Sequence, residues 1–217
     1  MTISRFLVAG GVVMIPLMLF SIVAIALIAE RLVFWLRTNR RQEQVIQKVF
    51  KLYRLNNVYE AMGVLRDNVK LPIARIFLAA LDLESPTPEE FRLALESEAQ
   101  AEIPTLKRFS TAFDTIINVA PLLGLLGTVT GLIASFASLT LGNIGGSQTA
   151  GVTGGISEAL ISTATGLVVA IFTLMFANTF RGMYQREIAL IQEYGGQLEL
   201  LYRHQYERGG LTHAATR

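Results

Sequence analysis

No cysteine occurs anywhere in the 217 residues, so neither a disulfide framework nor a thiolate metal site is open to this chain. Its two histidines, His204 and His213, both lie near the C-terminus, which leaves no imidazole cluster either. Charge is scarce: 17% of residues are charged and 52% hydrophobic, with a mean hydropathy of +0.45. A soluble domain usually carries about 25% charge, so a membrane is the solvent this composition suits. The net charge of +2 is not gathered into a basic face, and nucleic acid is not indicated as a partner. The sequence holds no phosphate loop, nucleophile constellation or paired catalytic carboxylates, so no enzyme and no cofactor are expected. Three spans offer no inverted repeat, which argues against a secondary transporter.

The chain does have long uncharged runs. Residues 6–29 carry no charge, slightly more than the roughly 20 residues a helix needs to cross the hydrocarbon core. A cleavable signal peptide is the alternative, with Arg5 ahead of the run and Ala24, Ile25 and Ala26 imitating a cleavage site, but the apolar core is too long for one. Glu30, Arg31, Phe34, Trp35 and Arg37 then read as an interfacial anchor. Residues 115–157 are uncharged, and after Glu158 no charge appears until Arg181, which makes room for two more spans. The expected division is an N-terminal segment and first span over 1–36, a helical segment over 37–114, and a second span over 115–140. A glycine-rich loop over 141–154, a third span over 155–180 and a C-terminal helix and tail over 181–217 complete it.

Orientation follows from lysine and arginine. The segment 37–114 contains twelve, the tail from Arg181 five and the glycine-rich loop none, so the positive-inside rule puts the large segment and the tail in the cytoplasm. The N-terminus and the loop then face the opposite side. Helices are expected over 40–53, 58–66 and 73–83. Thr87, Pro88, Glu89 and Glu90 form a strong helix start, with a capping hydroxyl, proline at the first helical position and two carboxylates at the positive dipole end. The pattern predicts one nearly continuous helix over 88–140, about 80 Å long at 1.5 Å per residue, kinked at Pro104 and Pro121. The third span should continue likewise, weakened only at Gly195 and Gly196. The fold class is therefore an all-α membrane protein with three transmembrane helices, the second and third extended into the cytoplasm as a long hairpin.

Gly124, Thr128, Gly131, Ser135 and Ser138 recur every three or four residues on one face of the second span; Ala159, Thr163, Gly166, Ala170, Thr173 and Ala177 do so on the third. Close helix packing explains such stripes. The sharper possibility is that part of each borders a pore, Ser135 among the lining residues, with Thr128 and Thr163 offering hydroxyls to water or to another helix. Glu158 is the single ionisable residue of residues 115–180, and its position in the first turn of the third span suits either a gate or inter-helix contact, or simple interfacial capping. Threonine hydroxyls do not titrate near neutral pH. A proton crossing mid-membrane would need a carboxylate brought by another chain.

The stretch 118–132, NVAPLLGLLGTVTGL, resembles the second-span signature of the MotA/TolQ/ExbB proton-channel family. The stretch 155–167, GISEALISTATGL, resembles the third, and Asn178 and Phe180 continue the match. The resemblance implies a pentameric, ring-forming oligomer in the bacterial inner membrane whose second and third spans surround single-span helices of an ExbD- or TolR-like partner bearing a proton-carrying aspartate. It implies that Thr128 and Thr163 face the pore, that Glu158 is the glutamate at the outer start of the third span, and that Pro121, Gly127 and Gly131 shape the second. Gly124, Gly166 and Ala170 belong to the packing surface read from spacing. A flagellar stator of the MotA type has four spans and fits less well. An ExbB-like role serving a TonB-like protein is preferred to a TolQ-like role in outer-membrane integrity, and a non-conducting membrane scaffold is the alternative from another class.

Overall fold

The computed structural model describes residues 10–140 and 147–214. Among them every regular element is a helix: α1 Met14–Arg54, α2 Val58–Asp67, α3 Pro72–Leu81, α4 Pro88–Leu106, α5 Ser110–Thr140 and α6 Ser147–Ala214. The chain divides into two compact units. One takes residues up to Arg31 with Phe109–Phe180; the other takes Leu32–Arg108 with the chain from Arg181 onward.

In the first unit, the start of α1, the whole of α5 and the first part of α6 pack together. Their shared core is small and entirely apolar: Val13, Met14, Leu17 and Ala24 from α1, Ile116 and Ala120 from α5, Val169 and Ala170 from α6. Outside that core the helices are apolar as well. Ile15, Ile22, Ile25, Leu122, Ile133, Phe136, Leu160 and Ile171 are between 61% and 71% exposed. A water-soluble three-helix unit would aggregate through such a surface, whereas in lipid it is the expected exterior. Among the described residues, three helices are long and apolar enough to cross a bilayer, as in a multi-pass membrane protein. Arg31 closes this unit, buried with its guanidinium 6.0 Å from the Phe109 ring centroid, a cation–π arrangement that lets one charge sit at the edge of the apolar region.

The second unit has the opposite pattern, apolar inside and charged outside. Ile46, Val49, Phe50 and Tyr53 of α1 are buried with Leu65 of α2, Ile73, Ile76 and Phe77 of α3, Phe91 of α4, and Ile191 and Leu198 of α6. The Thr87 cap forms as its residue types demand: Thr87 accepts from the Glu90 amide while Glu90 accepts from the Thr87 amide, with Pro88 opening the helix. Hydrogen bonds from the Thr87 amide and hydroxyl to the Glu90 carboxylate hold that carboxyl below its usual range. Tyr202 stacks on Phe91, centroids 4.1 Å apart and planes 1° from parallel, and its hydroxyl donates to the Pro86 carbonyl. The start of α4 is thus locked to α6. Between α3 and α4 the Arg75 guanidinium donates from Nε and Nη2 to both oxygens of Glu102, which is 6% exposed, and Nη1 reaches the Val69 carbonyl at 2.7 Å. That bidentate bond holds the guanidinium further into its charged range.

Three expectations need correction. The helix expected to be nearly continuous over 88–140 is two helices, because the chain turns at residues 107–109 and Phe109 takes a φ of 67° that a helix cannot continue through. Pro104 and Pro121, the expected kinks, lie inside α4 and α5, and the break between the two helices falls after Pro104. The helix expected from residue 40 is the second half of α1, continuous with the first span from Met14. Residues 147–154, read as loop, are the first turns of α6. Of their two glycines, Gly151 serves packing, since a Cβ there would lie 2.9 Å from Ser138 Cβ, while one on Gly154 would meet nothing within 4 Å. Residues 141–146 of that loop and 6–9 of the first span lie outside the described residues.

Candidate functional site

All of the residues singled out from sequence fall in the first unit, on α5 and α6. The two helices meet along a seam of small residues. A Cβ on Gly124 would lie 3.0 Å from Thr163 Cα, and one on Gly131 would lie 2.7 Å from the Gly155 carbonyl and 3.0 Å from Ala159 Cβ. On Gly127 it would collide with Ser162, and on Gly166 it would lie 2.5 Å from the Ala120 carbonyl. Backbones this close exclude any side chain, which is why the helices approach where these residues recur. Ala170, 7% exposed, continues the seam into the three-helix core, and Pro121 is half-buried beside it.

Ser135 is a correction. Sequence spacing placed it among pore-bordering hydroxyls, yet it is 3% exposed and its hydroxyl donates to the Gly131 and Val152 carbonyls at 3.0 and 3.2 Å. It is covered by α6 and holds the hairpin together. Ser162 was missed. It is fully buried, bonded to the Ala159 carbonyl at 2.9 Å, and fills the space above Gly127. Its position three residues after Ala159, opposite a glycine, was the available signal.

The two threonines are half-buried at the margin of the seam. Thr163 Oγ1 donates across to the Gly124 carbonyl at 2.9 Å, and Thr128 Oγ1 donates to its own helix at the Leu125 carbonyl, 2.6 Å away. Each hydroxyl proton is therefore committed to backbone. What each oxygen still offers is an acceptor lone pair. Such a pair can receive a hydrogen bond from water or from a protonated carboxyl group but has nothing to donate to an ionised one.

Glu158 does not sit at a helix start. With α6 beginning at Ser147, it lies eleven positions in (158 − 147), about 16 Å along the axis, so capping by its own helix no longer accounts for it. Its carboxylate instead rests against Gly11, in the turn that enters α1. Gly11 has a φ of 69° and no room for a side chain: a Cβ there would strike the Glu158 carboxylate directly. The contact joins α6 to the turn at the start of α1, the positive end of that helix's dipole. Gly11→Ala should cost about 1 to 2 kcal/mol for the left-handed backbone alone and displace Glu158 as well. A melt of the detergent-solubilised protein checks this, and an unchanged midpoint would remove Gly11 from the account.

Among the described residues, no group of three or more histidine, cysteine, aspartate or glutamate side chains is placed to hold a metal. Comparison with known proteins agrees with the motifs. Residues 68–193 match the family described as the MotA/TolQ/ExbB proton channel family. The chain is similar to a putative biopolymer transport protein, ExbB-like 3, of Synechocystis sp., 59% identical over 195 residues that cover 90% of this chain and 92% of the relative. It is 42% identical to ExbB-like 1 of the same organism, over 89% of this chain and 76% of the relative. The Tol-Pal system protein TolQ of Haemophilus influenzae is 27% identical over 86% of this chain and 84% of that one.

Proposed function

Because the chain belongs to the MotA/TolQ/ExbB proton channel family, a family of channel and transport subunits rather than enzymes, we propose that it is the ring subunit of a proton-motive-force-driven motor. Its copies, a pentamer by analogy, surround the single-span helices of an ExbD- or TolR-like partner in the bacterial inner membrane. The second unit and C-terminal tail, with their many lysines and arginines, face the cytoplasm, and the N-terminus faces the periplasm. The working assignment energises TonB-dependent transport across the outer membrane through a TonB-like protein. A TolQ-like role in outer-membrane integrity is the second reading, favoured by the relative of that name.

One observation carries the proposal. Residues 115–180 contain a single ionisable side chain, Glu158, and that carboxylate rests against the entry to α1. The rest of the hairpin offers only hydroxyls, which cannot take up and pass on a proton at neutral pH. The proton carrier must then come from the partner. In its neutral form a partner carboxylic acid donates to the Thr128 or Thr163 oxygen; once ionised it loses that bond and gains nothing from either threonine. Protonation would thus decide where each partner helix rests against the ring.

The test is proton flux into liposomes. The purified ring alone should not conduct above the background of empty vesicles, the ring with its single-span partner should, and neutralising the partner's membrane carboxylate should return flux to background. Conduction by the ring alone would overturn the proposal, unchanged flux with the partner carboxylate neutralised would point to a different proton path, and no flux from ring and partner together would favour a scaffold.

A further inference from the structure

Among the described residues, two side-chain oxygens of the second unit are buried with no hydrogen-bond donor: Gln42 Oε1 on α1 and Glu187 Oε1 on α6. Both residues are interior, Gln42 at 5% and Glu187 at 2% exposure. Neither group is used by the channel reading. Leaving a carboxylate oxygen unpaired in such a place is costly. The Gln42 side chain nevertheless stands near enough to the Glu187 carboxyl to favour its ionised form. The only donor that Gln42 has to offer a carboxylate is its amide nitrogen, and both Oε1 atoms are left without a partner. The two atoms left over are both acceptors as long as the carboxyl is ionised. One proton on Glu187 Oε1 converts it to a donor and satisfies both.

We propose that Glu187 and Gln42 form a proton-binding site, in which the neutral carboxylic acid of Glu187 donates to Gln42 Oε1 and receives the Gln42 amide in return, tying α1 to α6. An O–H bond forms on Oε1 when a proton arrives from water and breaks when it leaves; no other covalent bond changes. A cavity of about 320 Å³ lined by Asn39, Gln42, Glu43, Arg186, Leu190 and Tyr194 gives water access to the amide side of the pair.

The charges around the site do not favour proton binding; burial does. Arg186, the adjacent residue on α6, and the Gln42 amide both favour the ionised form, and desolvation outweighs them, holding the Glu187 carboxyl above its usual range. From α1 the charged neighbour on the cavity is Glu43, while the buried positions Trp35, Thr38, Gln42, Val45, Ile46 and Val49 carry none. The unit's other buried carboxylate, Glu102, is occupied by Arg75. Since the folded state holds the proton more tightly than the unfolded one, the tie is complete below the ordinary carboxylate range and is lost as pH rises through the elevated value. The site stands whether or not the ring conducts.

Infrared titration of the full chain in lipid vesicles tests it. After the other carboxyls have ionised with rising pH, the C=O stretch of one neutral carboxylic acid should remain, move in D2O, and vanish only at higher pH. It should be absent in Glu187→Gln and present in Glu158→Gln. Over the same pH interval the melting temperature of the wild type should fall relative to that of Glu187→Gln, whose amide stays neutral. If Glu187→Gln does not fold, Gln42→Leu decides the pairing: loss of the acceptor should move the acid band to higher frequency. A wild type with no late-titrating band, meaning an ionised Glu187 hydrated by water, overturns the proposal, as does a band that survives Glu187→Gln or stays in place in Gln42→Leu.

Discussion

Gly166→Leu should abolish folding of the membrane hairpin. A Cβ at this position would lie 2.5 Å from the Ala120 carbonyl, 3.1 Å from Gly124 Cα and 3.2 Å from the Gly124 nitrogen. All three are backbone atoms, so no side chain can swing away to relieve the clash, and α5 and α6 would have to separate along the whole seam. That separation loses the packing of Gly124, Gly127 and Gly131 against α6 and the cross-helix bonds of Thr163 and Ser135. The combined cost is expected to be about 4 kcal/mol or more, the upper end of single-residue effects. Gly182→Leu is the matched control, since a Cβ there meets nothing within 4 Å. Yield of folded protein and melting temperature in detergent should drop sharply for the first substitution and hardly for the second. Equal behaviour of the two would mean that the seam is not what holds the hairpin.

Thr163→Val separates conduction from packing. Valine keeps the shape and removes one hydrogen bond to the Gly124 carbonyl. Bonds of this kind between membrane helices average about 0.6 kcal/mol. The melting temperature should therefore move little. Flux through the ring with its partner should move much more, because the acceptor for the partner's neutral acid is gone. A hydrogen bond worth about 1 to 1.5 kcal/mol corresponds to roughly a tenfold change. Thr128→Val should act in the same direction, and Thr163→Ser should restore flux because it restores the oxygen. Wild-type flux in Thr163→Val, with the partner's carboxylate still required, would strike the threonines from the pathway without disturbing the family assignment.

How far the site could be read in advance differs from residue to residue. The glycines of α5 were legible because a stripe with a period of three to four has one use in a membrane that needs no partner chain, and the structure fills it with α6. Glu158 was legible as the odd charge in an apolar stretch, but not its contact. Gly11 lies 147 residues away in sequence (158 − 11), and no local pattern in either segment announces the other. Ser135 and Thr163 read alike in sequence, as hydroxyls on a small-residue face. The rotation of each helix about its own axis decides whether such a hydroxyl is covered or left at the margin, and boundaries known to a few residues do not fix that angle. Glu187 was read only as part of the continuing helix, because a charged residue in a mixed-charge helix is ordinarily solvated and only the placement of α1 over α6 makes it interior.

By itself the sequence determined the solvent of each part and therefore the class of the molecule. Uncharged runs of bilayer length, a helical period throughout and the lack of any charge but Glu158 across residues 115–180 follow from composition along the chain, and they required no knowledge of which helix touches which. The Thr87 cap was equally local, since all its partners lie within three residues. What only the tertiary structure decided was where helices begin and which side chains lose water. It made a packing surface of Gly151, which read as loop, moved Glu158 from a helix start to a helix contact, and buried Glu187 against Gln42. The physical reason is that backbone preference acts over one or two turns, whereas burial is a property of pairs of helices far apart in the chain, and it is burial that fixes the cost of a charge and the reach of a hydroxyl.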